Sequence, residues 1–202
     1  MGLRNSFDKL LDWDKRIFLK LYRNELSRKY MIVARIISFF GNLYFLIGVS
    51  IAILIVNYII RDYHLFSLIS GGFGQTFFFY IIIRYVIVKR KRPYVELKDH
   101  SIKKRDKITK AKKAFPSGHV TFFLFFIYLF AFYFNSWIIL LVGVIIACLM
   151  GITRITLGMH YPLDIIFGIV FGFIFSFLYI HLTASMWIGG YLTFFQWIQD
   201  SF

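Results

Sequence analysis

Cysteine is almost absent from the 202 residues. Only Cys148 occurs, so no intrachain disulfide can form. It sits inside an apolar run and reads as a small packing residue. Acids are scarce too: 10 Asp and Glu stand against 24 Lys and Arg, a net charge of +14. They form no cluster with histidine suited to magnesium or zinc, so neither a metal nor another cofactor is expected. A clean apolar stretch before a small-residue cleavage site is also lacking. Charges are scattered through residues 4–29, so a signal peptide is not expected there. What the chain lacks most is polar surface. Hydrophobic residues make up 59% and aromatics 21%, against about 45–50% apolar in soluble domains. A soluble protein of this make-up could not cover its core, and lipid is the simpler solvent.

The basic residues are segregated. Twelve of the 24 lie between Lys89 and Lys113, nine precede Ser38, and Arg61, Arg84 and Arg154 stand alone. A charge of this size in a soluble protein would suggest nucleic acid as a partner. Blocks of charge beside apolar spans read instead as loops near anionic head groups or phosphates.

Hydrophobic patterning predicts an all-α, polytopic transmembrane bundle with about five full spans, or six in an alternative count. Residues 6–23 carry Phe7, Leu10, Leu11, Asp14, Ile17, Phe18, Leu21 and Tyr22 mostly at three- and four-residue steps. That predicts an amphipathic helix lying on the membrane, capped by Ser6. Segment 1–29 is therefore read as interfacial, 30–184 as the bundle with basic loop 89–115, and 185–202 as an interfacial tail. The apolar run 30–60 is too long for one span and too short for two, since a span needs about 20 residues. Broken at Gly41-Asn42, it reads as a short partly inserted helix over 30–40 and a first span over 42–61, with Arg61-Asp62 marking water. Further spans are expected at about 64–88, 117–134, 138–153 and 161–183. Asn135-Ser136 is a tight turn, and Gly71, Gly72 and Gly74 offer close approach to a neighbouring helix. Residues 186–198 are too short to cross and are expected to break at Gly189-Gly190. No internal repeat stands out.

Five spans put the polar motifs on one membrane face. Arg154, His160 and Asp164 are spaced so that a helix starting near Tyr161 stacks His160 and Asp164, with Pro162 in its first turn. Asp164 can accept the imidazole N–H, fix its tautomer and stabilise charge on the ring, leaving the other nitrogen as a nucleophile. Pro116-Ser117-Gly118-His119 opens the third span, and a helix N-terminus is an anion site. Ser117 adds a hydroxyl donor, Gly118 admits a ligand to the backbone, and His119 can pass a proton to a leaving oxygen. At the end of the second span Arg84 stands among apolar residues, followed by the basic run 89–92. Each piece has a plainer reading: an interfacial ion pair, an ordinary capped helix, a basic border. Together they supply what phosphoryl transfer needs, which is cationic donors, a nucleophile in line and an acid opposite. His64 and His181 fall on the opposite face as interfacial polar residues, and His100 in the loop reads as solvated.

In this order the motifs resemble the type 2 phosphatidic acid phosphatase and haloperoxidase superfamily, in its bacterial membrane branch. That family reads Lys-x6-Arg-Pro, Pro-Ser-Gly-His, then Ser-Arg-x5-His-x3-Asp. Here Arg92-Pro93, Pro116 through His119 and Arg154 through Asp164 match, over roughly residues 38–184. Two positions depart. Thr153 replaces a serine, and Tyr85 stands where the first lysine belongs, so either Arg84 or the Tyr85 hydroxyl must substitute.

The resemblance implies that His160 is the nucleophile forming a phosphohistidine, oriented by Asp164, and that His119 is the general acid. It implies that Arg92, Ser117, Gly118 and Arg154 hold the phosphate, without a metal. The expected activity is hydrolysis of a lipid phosphate or diphosphate: an isoprenoid diphosphate such as undecaprenyl diphosphate, phosphatidylglycerol phosphate or phosphatidate, or a lipid A phosphate. Alternatives are a lipid phosphotransferase with the same site, or a non-catalytic protein binding anionic lipids. The partners are the lipid substrate and membrane lipids, with no nucleic acid. The expected location is the bacterial inner membrane. The family's habit turns the active-site face outward, whereas basic loops usually face the cytoplasm.

Overall fold

The computed structural model describes residues 2–25, 29–61, 63–106, 109 and 111–201. Asp62, residues 26–28 and Lys107 and Lys110 of the basic loop lie outside the described residues. Among those described there is no strand, only one isolated antiparallel bridge between Lys91 and Lys113. The molecule is an all-helical bundle.

Helix α1 spans Gly2–Arg23. It starts before Ser6, which therefore lies inside the helix and does not cap it. The predicted stripe splits in two. Asp14, Phe18 and Tyr22 are buried against the end of the bundle, while Phe7, Leu10 and Trp13 stay exposed. The four-residue step of the first set makes one helix face, and the Phe18 ring meets Tyr161 edge-on at 5.3 Å.

Helices α2 (Met31–Phe40) and α3 (Leu43–Ile60) divide at Gly41-Asn42 as expected, and the Asn42 side chain caps α3 by accepting from the Tyr44 amide at 2.9 Å. Helix α4 (His64–Ile81) continues as a π-turn over Ile82–Ile87. A short helix α5 (Pro93–Glu96) follows, with proline in its first turn. Helix α6 covers Gly118–Tyr133, and α7 covers Trp137–Thr156. Asn135 makes the turn between them with φ +47°. Helix α8 (Pro162–Leu178) runs through a π-turn, Tyr179–Thr183, into α9 (Ala184–Ser201).

Among the described residues four helices are long and apolar enough to cross a membrane: 43–60, 64–87, 137–156 and the continuous 162–198. The third expected span, α6, has 16 residues, about 24 Å of helix. It is short for a lipid-facing crossing, but it packs between α7 and α8 and its sides are buried: Val120, Leu124, Phe125 and Leu129 are fully enclosed. Outside, Ile55 and Ile59 of α3, Val142 and Leu149 of α7 and Leu182 are exposed. Such an apolar belt is covered by lipid. This is an integral membrane protein.

Two further expectations need correction. Gly189-Gly190 does not break the chain: the helix runs on to Ser201 and packs antiparallel along α4. Tyr63 stacks on Phe195 at 4.1 Å, and Thr183 donates to Gln75 at 2.7 Å. Gly71 and Gly72 permit this approach, since a Cβ at either would meet Trp187 or Tyr179, whereas Gly74 has no neighbour to accommodate. Packing along α4 supplies what two glycines cost a helix. Cys148 points out of α7 and is exposed, so it packs no core. His181 sits in the π-turn of the long helix, against Phe177.

Candidate active site

The catalytic candidates converge because the end of α4, the start of α6, the end of α7 and the start of α8 meet on one face of the bundle. Between α7 and α8 the Met159 amide returns to the Arg154 carbonyl at 3.0 Å, and Gly158 adopts φ +74°, a conformation costly for residues with a Cβ. This turn places His160 just before α8 with 1% exposure. At the start of α6, the Ser117 amide donates to the Asp164 carbonyl at 3.0 Å and ties the second motif to the third. In the basic loop two stretches run antiparallel, Arg92 amide to Lys112 carbonyl at 3.1 Å and Ala114 amide to Arg90 carbonyl at 2.9 Å. This pairing lays Arg92 beside both motifs.

A cavity of about 280 Å³ is lined by Arg84, Tyr85, Arg92, Gly118, His119 and His160, among others. The two histidines expected to flank one phosphorus therefore border a single space. Ser117 and Arg154 are fully buried and do not line it. Arg92 Nη1, Ser117 Oγ, Arg154 Nε and His160 Nδ1 are buried without a hydrogen-bond partner among the described residues. Buried polar atoms are nearly always paired in folded proteins. His160 Nδ1 faces Asp164, and the other three are donors on Arg92, Ser117 and Arg154, the chemistry that a polyatomic anion needs.

Arg84 is 3% exposed, while Tyr85 is 45% exposed. The Arg84 guanidinium donates to the Pro116 carbonyl at 3.0 Å, and also to the Lys113 carbonyl and the Tyr80 hydroxyl. The π-turn over Ile82–Ile87 is the local cause. Its wider winding changes which residue faces inward.

The pairing of His160 with Asp164 is looser than predicted. Nδ1 and Oδ2 are 3.6 Å apart, beyond hydrogen-bond distance. Asp164 is committed elsewhere. Oδ2 accepts the Tyr161 amide at 2.8 Å, closing a capping box at the start of α8, and Oδ1 accepts from Arg90 at 3.0 Å. Arg154 also differs from expectation. It is fully buried and ion-paired with Asp106 at 2.9 Å, and it donates to Ser38 of α2 at 2.6 Å.

Three charged residues of the site were missed in the sequence. Asp14 of α1 accepts from Arg90 at 2.5 Å and from the Leu163 amide at 2.9 Å. In the sequence Arg90 reads as part of the basic border, yet its guanidinium lies 4.0 Å over the Tyr161 ring and bridges two buried carboxylates. Asp106 was one more acid in a basic loop. For Asp14 a signal existed, a single acid in the apolar stripe of α1. For Asp106 there was none.

The electrostatics follow from burial. Burial holds the His160 imidazole well below its usual range, reinforced by Arg92 and Arg154, so the ring is neutral near pH 7. Arg92 is lowered to about 10 by burial and by its neighbours Arg84 and Arg154, and it stays charged. Burial also acts against charge on Arg90, but Asp164 and Asp14 outweigh it and raise its pKa.

Similarity to known proteins agrees with this geometry. The family model of the PAP2 superfamily matches residues 63–188. A transmembrane PAP2 type phosphatidylglycerolphosphate phosphatase from Bacillus subtilis has a similar fold, with TM-score 0.65, 20% identity and 84% of each chain covered. LpxE from Aquifex aeolicus is similar with TM-score 0.54 and 20% identity, over 82% of this chain and 93% of that one. No curated protein sequence matches the chain. The matched segment carries all three motifs and more than half of the residues, and the chain belongs to the PAP2 superfamily.

Proposed function

We propose that this protein is a membrane lipid phosphatase that hydrolyses a lipid phosphate or diphosphate through a phosphohistidine. The observation that carries the reading is that His119 and His160 border one cavity together with Arg84 and Arg92. The family supports the chemistry, and the similar fold of a phosphatidylglycerolphosphate phosphatase supports the substrate class.

In this reading the phosphoryl group enters the cavity with its equatorial oxygens among Arg84, Arg92, the Ser117 hydroxyl and the start of α6, with Arg154 behind. His160 turns Nδ1 toward Asp164, so Nε2 attacks phosphorus. The negative phosphate, bound beside His119, favours the protonated ring against burial and Arg154; the P–O bond to the leaving group then breaks, and His119 gives its proton to the departing oxygen. The phosphoimidazole is cationic. A small closure of the 3.6 Å gap brings Asp164 into hydrogen bonding as that charge develops. His119, now neutral, takes a proton from water. The water oxygen attacks phosphorus, the N–P bond breaks, and inorganic phosphate leaves. Arg84 takes the place of the first motif's lysine, and Tyr85 lines the entrance. Candidate substrates are isoprenoid diphosphates, phosphatidylglycerol phosphate, phosphatidate and lipid A phosphates.

The test is phosphate release by detergent-purified protein from a panel of these lipids, with chelator present. His160→Ala is expected to abolish release, and full activity in that variant would sink the reading.

A further inference from the structure

His119 borders a second cavity that His160 does not reach. It measures about 230 Å³ and is lined by Arg35, Ser38 and Phe39 of α2, Asn42, Arg105, Asp106, His119 and Leu157. For an in-line reaction the order is nucleophile, phosphorus, leaving oxygen, acid. The space beyond the acid is therefore where the leaving group extends. This argument rests on the assignment of His119 as general acid in the proposed function.

The chemistry of the wall is cationic. Arg105 is fixed by donation to the Thr156 carbonyl at 3.0 Å and by stacking 4.1 Å over the Tyr22 ring. Among the described residues Arg35 has one weak partner, Met31 Sδ at 3.6 Å, which leaves most of its guanidinium for other contacts. The acid in the wall, Asp106, is occupied by Arg154 at 2.9 Å and by Thr109 at 2.7 Å. The outward face of α2 is apolar: Ile32, Ile36 and Phe39 are exposed. A ligand here has a cationic pocket for an anion and an apolar helix beside it for acyl or prenyl chains.

We propose that this cavity binds a second phosphate carried by the leaving group, so that the preferred substrates are lipids with two phosphates near one another. Two sources share that chemistry. In an isoprenyl diphosphate the second phosphate is bonded directly to the scissile one. In phosphatidylglycerol phosphate it is a diester across a glycerol. Phosphatidate has neither, because its leaving group is an uncharged diacylglycerol.

The experiment measures kcat/KM of the full-length protein in mixed micelles on isoprenyl diphosphate, phosphatidylglycerol phosphate and phosphatidate. Wild type is compared with Arg35→Gln and, as a control for general surface charge, with Lys98→Gln, an exposed loop cation away from both cavities. Wild type should prefer at least one two-phosphate lipid to phosphatidate. Arg35→Gln should reduce that preference about tenfold, the loss of one charge-assisted contact, and Lys98→Gln should leave it unchanged. A loss confined to isoprenyl diphosphate places the second phosphate next to the first, and one confined to phosphatidylglycerol phosphate places it across the glycerol. Arg35 is exposed, so its replacement tests the pocket without unfolding the bundle. No preference in wild type, or an unchanged ratio in Arg35→Gln, overturns the subsite alone. Failure to release phosphate from any lipid overturns the phosphatase reading, and the subsite falls with it.

Discussion

Asp14 and Asp164 lie 150 residues apart and share one guanidinium. Arg90 donates to Asp14 at 2.5 Å and to Asp164 at 3.0 Å, and both carboxylates are fully buried. Asp14 also accepts the Leu163 amide, in the first turn of the helix that carries Asp164. The N-terminal helix is thereby joined to the catalytic turn by charge, and the Phe18–Tyr161 contact lies beside the junction.

Removing Asp14 tests that junction. Asp14→Ala leaves Arg90 with one carboxylate and Leu163 without its acceptor. Breaking a buried, hydrogen-bonded ion pair costs on the order of 2–3 kcal/mol when a second partner remains. The expected result is a lower melting temperature in detergent and a kcat reduced about tenfold, with KM little changed, because Arg90 and the Leu163 amide, which flank Asp164, each lose an anchor. An unchanged kcat would separate α1 from the site.

The two histidines should respond differently to the leaving group. His119→Ala should reduce hydrolysis of a lipid monoester by about 10²–10⁴-fold, the usual worth of general acid catalysis. On an aryl phosphate, whose leaving group departs without a proton, the deficit should shrink to a few-fold. His160→Ala should stay inactive on both. Equal deficits for His119→Ala on the two substrates would remove its role as acid.

Arg84 and Tyr85 compete for the missing lysine of the first motif. Arg84 is buried and bound to the Pro116 carbonyl, and Tyr85 is half exposed. Arg84→Ala should cost about 10²-fold in kcat/KM, consistent with loss of a transition-state cation. Arg84→Lys should retain part of the activity, and Tyr85→Phe should remain within about twofold of wild type. The reverse order would transfer the role to Tyr85.

The His160 shift has a stability consequence with a definite sign. Burial lowers the folded-state pKa, so the unfolded chain binds a proton near the usual value of about 6.5 and the folded chain does not. The contribution to stability is fully present above that value and is lost as pH falls below it. The His160 resonance, assigned in histidine-labelled protein by its absence in His160→Ala, should titrate well below 6.5. Titration at or above 6.5 would contradict the buried, neutral ring.

The direction of the active-site face is open to a direct measurement. Loop 89–113 is basic, but Arg90 and Arg92 are bound inside the site and Arg105 is held by Thr156 and Tyr22. They weigh less as free loop charges, and the outward orientation that the family resemblance implies is the one to test against the charge rule. Ser101 is exposed, and so is the native thiol at Cys148. In a Cys148→Ser background, Ser101→Cys should react with an impermeant maleimide added to intact cells. Protection until the cells are opened would put the site in the cytoplasm.

Helix boundaries and motif residues were legible along the chain because both are local properties. A lipid-facing segment must be apolar for its whole length, so α3 and α4 begin within one residue of where hydropathy placed them. Ser117, His119 and His160 announce themselves by spacing, since a helix start and a tight turn need particular neighbours. The tertiary structure decided what depends on distant partners. Asp106 looks like an ordinary loop acid, and Asp14 like an odd acid in an apolar stripe, until Arg154 and Arg90 are brought to them from other elements. Gly189-Gly190 reads as a break until α4 packs against the helix that contains it. The choice between Arg84 and Tyr85 turned on a π-turn, which no run of apolar residues reveals. A buried charge is tolerated only where a counter-charge or hydrogen-bond acceptors arrive, and which segments meet is settled by packing and not by the order of residues.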